Sequence, residues 1–290
     1  MRVLITGANG QLGYELIRSA PETIELIAAT RQDLDLQAVN LREQVLALKP
    51  DLIINAAAYT AVDRAESESE VAYAINARAV RSLALAAAEL GATLLQVSTD
   101  FVFDGTSPVA YLPDQATSPL GVYGASKLAG EQALAEVDGL DACVVRTAWV
   151  YSTHGGNFVK TMLRLMAEKP SLSVVADQIG TPTWANGLAR VLWALARMEQ
   201  RPKRLHWTDL GVASWYDFAV AIQEEAVARG LLKNAIAVRP ITTDEYPTPA
   251  QRPAFSVLDK RSTLAALDGA VEAVHWRAAL RTMLDELGNQ

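Results

Sequence analysis

Short, almost wholly apolar runs rich in β-branched residues alternate with longer helical patterns from the first residues to Thr147, and this alternation restricts the chain more than any other feature. Val3–Thr6, Glu25–Thr30, Asp51–Asn55, Thr93–Ser98 and Ala142–Thr147 read as strands. Leu12–Ser19, Leu41–Leu48, Ala72–Leu90 and Tyr123–Glu136 read as helices between and after them. Strands without polar alternation are buried on both faces, and a helix between successive strands supplies the crossover that parallel pairing requires.

The expectation is an α/β fold with a doubly wound, Rossmann-type parallel sheet. After Tyr151 the rhythm loosens, with turn-rich stretches at Ser152–Asn157, Gln178–Thr183 and Thr242–Arg252. Helices are still expected at Phe158–Glu168, Trp184–Met198, Trp215–Arg229 and Trp276–Leu287. The predicted division is a dinucleotide-binding domain over 1–150, with parts of 171–210 returning to it, and a smaller C-terminal α/β substrate lobe over most of 151–290.

Half of the 290 residues are apolar, enough for one large domain or a domain with an attached lobe. The net charge is -7 and the Arg and Lys residues are scattered, which leaves no electrostatic footprint for nucleic acid. Met1–Thr6 offers four apolar side chains before Gly7, too few for a secretory signal core. Ala79–Leu90 is interrupted by Arg81 and Glu89 and is too short to span a bilayer. A cytoplasmic protein without a membrane partner is expected. The single cysteine, Cys143, lies in the apolar run Ala142–Val145 and reads as a buried structural thiol.

Gly7, Gly10 and Gly13 stand where the first strand turns into the first helix. Unpaired N–H groups and the positive end of the helix dipole favour a pyrophosphate there, and the absence of Cβ atoms permits close approach. A tight strand-to-helix turn would use the same glycines. The second strand ends in Thr30-Arg31, where an acidic ribose ligand of NAD would be expected; a guanidinium suits a 2'-phosphate, so NADPH is expected to serve at least as well as NADH. An exposed arginine with no ligand is the plainer alternative. Asp35 and Leu36 border the expected adenine site, and the small residues of Asn55-Ala56-Ala57-Ala58-Tyr59 allow a cofactor to lie across the strand ends.

Tyr123 and Lys127 are four residues apart, on one face of a helix. A tyrosine of pKa about 10 is a sluggish acid or base near neutrality, and a neighbouring ammonium is expected to bring that value down. Lys127 can also hold the nicotinamide ribose. Ser98-Thr99-Asp100 ends the preceding strand at the edge where open α/β sheets bind ligands, placing Thr99 to donate to a carbonyl beside Tyr123. Together these groups suit ketone–alcohol interconversion, with hydride delivered to carbon and a proton to oxygen. His154, His206 and His275 lack metal-ligand spacing, and neither a nucleophile elbow nor a Gly-Lys-Ser/Thr phosphate loop is present in the sequence.

Several longer blocks carry a family resemblance. They are Gly7-x-x-Gly10-Gln11-Leu12-Gly13, Asn55 to Glu66, Ser98 to Gly105, Val122 to Glu131, Arg146 to Tyr151, Asp177 to Thr183, and Arg252-Pro253. In this order the chain resembles the dTDP-4-dehydrorhamnose reductases, extended short-chain dehydrogenases that complete dTDP-L-rhamnose synthesis. The resemblance implies cofactor contacts at Gly10, Gln11, Leu12, Asp35, Leu36, Ala57, Ala58, Tyr59, Tyr123 and Lys127, and sugar-nucleotide contacts at Thr99, Asp100 and Trp149. Trp149 also suits a flat apolar wall, and Arg252 suits a diphosphate. Some members bind magnesium through glutamates at a dimer contact; here Glu15 and Glu286 stand with Asn186 at the third position, so a metal-bridged homodimer is not expected. The competing readings are a reductase or epimerase of another nucleotide-linked 4-keto sugar and a non-catalytic NADP-binding regulatory subunit, which the beta subunit of methionine adenosyltransferase exemplifies.

Overall fold

The structure, a computed structural model, describes residues 1–289. Strands β1 (Arg2–Thr6), β2 (Glu25–Ala29), β3 (Leu52–Asn55), β4 (Thr93–Thr99) and β5 (Asp141–Thr147) alternate with helices α1 (Gln11–Arg18), α2 (Leu41–Leu48), α3 (Val62–Ala65), α4 (Ser69–Tyr73), α5 (Ala79–Leu90) and α6 (Val122–Ala135). Later come β6 (Val150–Tyr151), α7 (Phe158–Glu168), β7 (Ser171–Val175), β8 (Ile179–Gly180), β9 (Thr183–Trp184), α8 (Ala185–Ala196) and β10 (Arg204–His206). The chain ends with β11 (Ala213–Ser214), α9 (Trp215–Ala228), β12 (Ala237–Ile241), α10 (Arg261–Leu267) and α11 (Trp276–Gly288).

The central sheet has six parallel strands in the order β10-β5-β4-β3-β1-β2. Successive strand residues point to opposite faces, and the two cores divide accordingly. Val3, Ile5, Leu52, Ile54, Leu95, Cys143 and Val145 face α1 and α8 on one side. Leu4, Ile53, Leu94 and Val144 face α2 and α5 on the other. This two-sided burial is the reason the strands carry apolar residues without alternation. The order reverses beside β1, so the carboxyl ends of β1 and β3 open the crevice in which such sheets bind ligands.

A third core, built on Phe218, Trp184, Trp276, Met162 and Leu280, gathers α7, α9 and α11. Within 171–210, α8 and β10 join the central sheet, whereas β7 pairs with β12 in a separate two-stranded sheet.

The single helix expected over Ala72–Leu90 is instead α4, a π-helical turn at Ala74–Arg78, and α5. Asn76 in that turn accepts from the Tyr59 N–H at 2.9 Å and donates to the Tyr59 carbonyl and Ser126 Oγ, both at 3.0 Å. Its own carbonyl lies so near Gly130 that a Cβ there would come within 2.1 Å. The widened turn thus seats Asn76 between the β3 exit and α6, in keeping with the preference of π-turns for functional regions. The four-residue α3 is too short to leave a periodic signature in sequence. Among the described residues, no helix is long and apolar enough to cross a membrane.

Candidate active site

A cleft of about 800 Å³ runs along the carboxyl ends of the central strands. Its first wall is the β1–α1 turn. Gly7 adopts φ +68°, and a Cβ there would stand 2.9 Å from the Ala57 backbone. A Cβ on Gly13 would meet the Gly7 carbonyl oxygen at 2.2 Å, so Gly13 packs helix on turn beneath the cleft while Gly7 and Gly10 line it. Among the described residues no side chain caps α1, whose N-cap is Gly10; Gly10, Gln11 and Leu12 line the cleft at this helix start. A bare helix N-terminus floored by glycine fits the pyrophosphate of a dinucleotide.

Arg31, Asp35 and Leu36 line the far end of the same cleft, and Ala57, Ala58 and Tyr59 line its floor. The Arg31 side chain is 74% exposed and pairs with Asp35 at 3.8 Å, so its guanidinium is available to a 2'-phosphate. Tyr59 Oη donates to Glu68 at 2.6 Å, while its main chain is held by Asn76.

Tyr123, Lys127 and Thr99 meet in the middle of the cleft. The Tyr123 ring is steadied edge-on by Phe101, with centroids 5.6 Å apart. Gly124 lets α6 approach the turn after β4, since a Cβ there would fall 2.2 Å from the Phe101 carbonyl oxygen. Glu66 accepts from the Val122 N–H at 2.9 Å and so satisfies the first turn of this helix.

One expectation is corrected. The Tyr123 phenol is not lowered: loss of water pushes its pKa up to about 12, with a hydrogen bond between Tyr123 and Thr99 opposing the rise and Asp100 adding to it. Lys127 Nζ donates instead to the Val97 carbonyl at 2.7 Å, and burial pushes its pKa down to about 8, with Glu131 opposing the fall. Tyr123 therefore holds its proton at neutral pH, the state an acid must start from.

Thr99 Oγ1 accepts from the Phe101 N–H at 3.2 Å and directs its own proton to Asp100 Oδ1 at 3.0 Å. Burial pushes the Asp100 carboxyl up to about 6, with side-chain hydrogen bonds to Ser256 and Thr99 opposing the rise. A carboxyl in the cleft wall suits a sugar hydroxyl.

Trp149 lies in the cleft with φ +47°, and its indole packs so closely over Gly180 that a Cβ there would come within 2.7 Å. Trp215, the first residue of α9, stacks face to face on Trp149, with centroids 3.6 Å apart and planes 8° from parallel. Residue patterning placed Trp215 at a helix start and assigned it nothing more, because face-to-face contact between residues sixty-six apart leaves no local signal. Arg252 also reaches the cleft, but its Nη2 donates to Asp63 at 2.8 Å and its Nη1 to Ala250 O and Thr248 Oγ1, so the expected free bidentate fork is partly engaged.

Glu15, Asn186 and Glu286 do come together. Glu15 is fully buried; its oxygens accept from Ser152 at 2.9 Å, from Arg18 at 2.7 and 3.1 Å, and from Asn186 at 3.1 Å. Arg18 bridges onward to Glu286 at 2.8 Å. A guanidinium stands between the two carboxylates.

The chain matches the family model described as "RmlD substrate binding domain" over residues 1–289. It is 41% identical to the dTDP-4-dehydrorhamnose reductase of Burkholderia thailandensis, covering 100% of both chains. It is 43% identical to that of Mycobacterium tuberculosis, covering 98% of this chain and 92% of the relative. A crystal structure of the Clostridium acetobutylicum dTDP-4-dehydrorhamnose reductase superposes with a TM-score of 0.92 at 39% identity, over 99% of each chain. The Bacillus anthracis enzyme in complex with NADP superposes at 0.90 with 37% identity, over 98% of this chain and 99% of that one. The fold, the cleft and full-length similarity agree: the chain belongs to the dTDP-4-dehydrorhamnose reductase family.

Proposed function

We propose that this enzyme uses NADPH, with NADH as a substitute, to reduce the C4 ketone of dTDP-4-dehydro-β-L-rhamnose to dTDP-L-rhamnose. The observation that carries this reading is the convergence of Tyr123, Lys127 and Thr99 in one cleft with the glycine turn and Arg31. The bound cofactor supplies hydride for the ketone carbon.

Tyr123 gives its proton to the oxygen on which negative charge develops. An alkoxide is more basic than a phenolate of pKa about 12, so the transfer runs downhill. The Lys127 ammonium, anchored on the Val97 carbonyl, holds the nicotinamide ribose and so sets the cofactor beside Tyr123. Thr99 turns its hydroxyl toward the ketone, and Asp100 accepts from or donates to a neighbouring sugar hydroxyl. Gly7, Gly10, Gln11 and Leu12 hold the pyrophosphate, Arg31 the 2'-phosphate, and Trp149 with Trp215 walls the sugar nucleotide. Residues 1–150 with α8 and β10 act as the cofactor unit, and most of 151–290 as the sugar-nucleotide lobe. A cytoplasmic location and a homodimer belong to the same proposal.

The retention of Tyr123, Lys127 and Thr99 favours catalysis over a regulatory subunit. The test is NADPH oxidation followed with dTDP-4-dehydrorhamnose and, in parallel, with a UDP-linked 4-keto sugar. Turnover of the dTDP substrate alone supports the proposal; preference for the other sugar assigns a different reductase, and NADPH binding without turnover of either assigns a binding subunit.

A further inference from the structure

Beneath the cleft lies an ion pair that the reaction itself does not use. Arg146 on β5 and Glu131 on α6 are both almost completely enclosed, with side chains 1% and 2% exposed. Arg146 donates from Nε to Glu131 Oε1 at 2.9 Å and from Nη2 to Oε2 at 2.6 Å, a bidentate fork. Ser98 Oγ donates to the same Oε1 at 2.6 Å. The remaining Arg146 nitrogen donates to the Pro113 carbonyl at 3.0 Å, and Phe103 lies under the guanidinium at 5.1 Å.

Each member stands next to a working part of the site. Glu131 is one helical turn beyond Lys127 on the same face of α6. Ser98 immediately precedes Thr99, and Val97, whose carbonyl holds Lys127 Nζ, precedes Ser98. Arg146 pairs in register with Ser98 across the sheet and lies three residues before Trp149. A buried ion pair contributes little to stability compared with an apolar pair of the same volume, because removing two charges from water offsets their attraction. Placing one here gains what an apolar pair cannot: directed bonds that fix α6 against the ends of β4 and β5.

We propose that Glu131 and Arg146 are positioning residues of the reductase site, holding Lys127 and the Ser98–Thr99 strand end in register with Tyr123. The proposal rests on the reading that Tyr123, Lys127 and Thr99 perform the reduction. Neither side chain touches substrate; both act through their neighbours. The displacement of a catalytic group by about an ångström lowers turnover by roughly a hundredfold, without a comparable change in binding.

The test is the double substitution Glu131→Gln/Arg146→Met, which removes both charges together; Arg204, whose Nε lies 3.7 Å from Glu131 Oε2, keeps Asp114 as its partner at 3.2 Å. Expected is a folded protein melting near the parental temperature, with KM for the dTDP sugar within about twofold and kcat lowered roughly ten- to a hundredfold. A merely structural pair predicts parental kcat once the double variant is folded, and that result overturns the proposal. Should the double variant fail to fold, Ser98→Ala decides, since it deletes one hydroxyl and leaves the ion pair intact. A fall of about fivefold in kcat at unchanged KM supports the proposal, the effect of one lost hydrogen bond, and parental kcat refutes it. Tyr123→Phe is measured alongside. If Tyr123→Phe retains parental activity, the chemical reading fails; if it is inactive while the folded double variant is fully active, only the positioning role fails.

Discussion

Lys127 Nζ donates to the Val97 carbonyl at 2.7 Å, so the ammonium that serves the catalytic tyrosine is anchored to the strand that ends in Thr99. Tyr123 and Lys127 share α6, and this bond ties that helix to β4. The tie also explains why the phenol stays high, at about 12, since burial dominates where the cation is engaged elsewhere.

The pH dependence of turnover follows from Lys127. Burial places its pKa at about 8, below the ordinary 10.5, so kcat is expected to fall as pH rises through about 8 and the ammonium is lost. For stability the sign is opposite. Between about 8 and 10.5 the unfolded chain binds more protons than the folded one, so this group's contribution rises with pH and is least favourable below about 8. Lys127→Met is therefore expected to lower kcat and weaken NADPH binding without lowering the melting temperature at pH 7. A parental pH profile with an alkaline limb unchanged in Lys127→Met would remove Lys127 from the mechanism.

Arg31 is exposed at the end of the cleft and bound only loosely to Asp35. Arg31→Ala is expected to raise the KM for NADPH by roughly tenfold, the effect of losing a charge-assisted contact, and to leave the KM for NADH near parental. Steady-state kinetics with both cofactors check this; equal effects on the two would show that Arg31 does not read the 2'-phosphate.

The Trp149–Trp215 stack is expected to serve the sugar nucleotide and not the cofactor. Trp215→Ala should raise the KM for the dTDP sugar roughly three- to tenfold, in line with the loss of one aromatic contact, while the Kd for NADPH holds. Gly180→Ala should do the same by a different route, because its Cβ would strike the Trp149 indole. Calorimetric titration with each ligand separates the two effects.

Chelation is expected to leave both activity and oligomeric state intact. The Glu15 oxygens already accept four N–H or O–H bonds, and Arg18 occupies the space between Glu15 and Glu286. Loss of both properties in EDTA, restored by magnesium, would contradict that arrangement.

Strands β1, β3, β4 and β5 were legible because they are buried on both faces, whereas the three-residue edge strand β10 left no apolar run to read; the residues expected to hold the cofactor line one cleft because they cluster at strand ends in order. What sequence did not disclose were the long-range partners. Asn55 to Tyr59 reads as a floor of small residues, but nothing in the residues that follow announces that Asp63 grips Arg252 and Glu66 caps α6. Asn76 looks like an ordinary helix residue until its π-turn places it between Tyr59 and Ser126. Trp215 and Gly180 are brought to the site by contact with Trp149, whose positive φ no local pattern announces. Nor does an arginine in an apolar strand name Glu131 as its partner.

The central claim is that Tyr123 supplies the proton. Tyr123→Phe keeps the ring and its edge contact with Phe101 and removes one hydroxyl, so folding and NADPH binding should survive. The direct measurement is the turnover of dTDP-4-dehydrorhamnose by the folded, NADPH-binding variant. The account predicts a fall of roughly two to four orders of magnitude, the range for loss of general acid catalysis; turnover near the parental rate would contradict it.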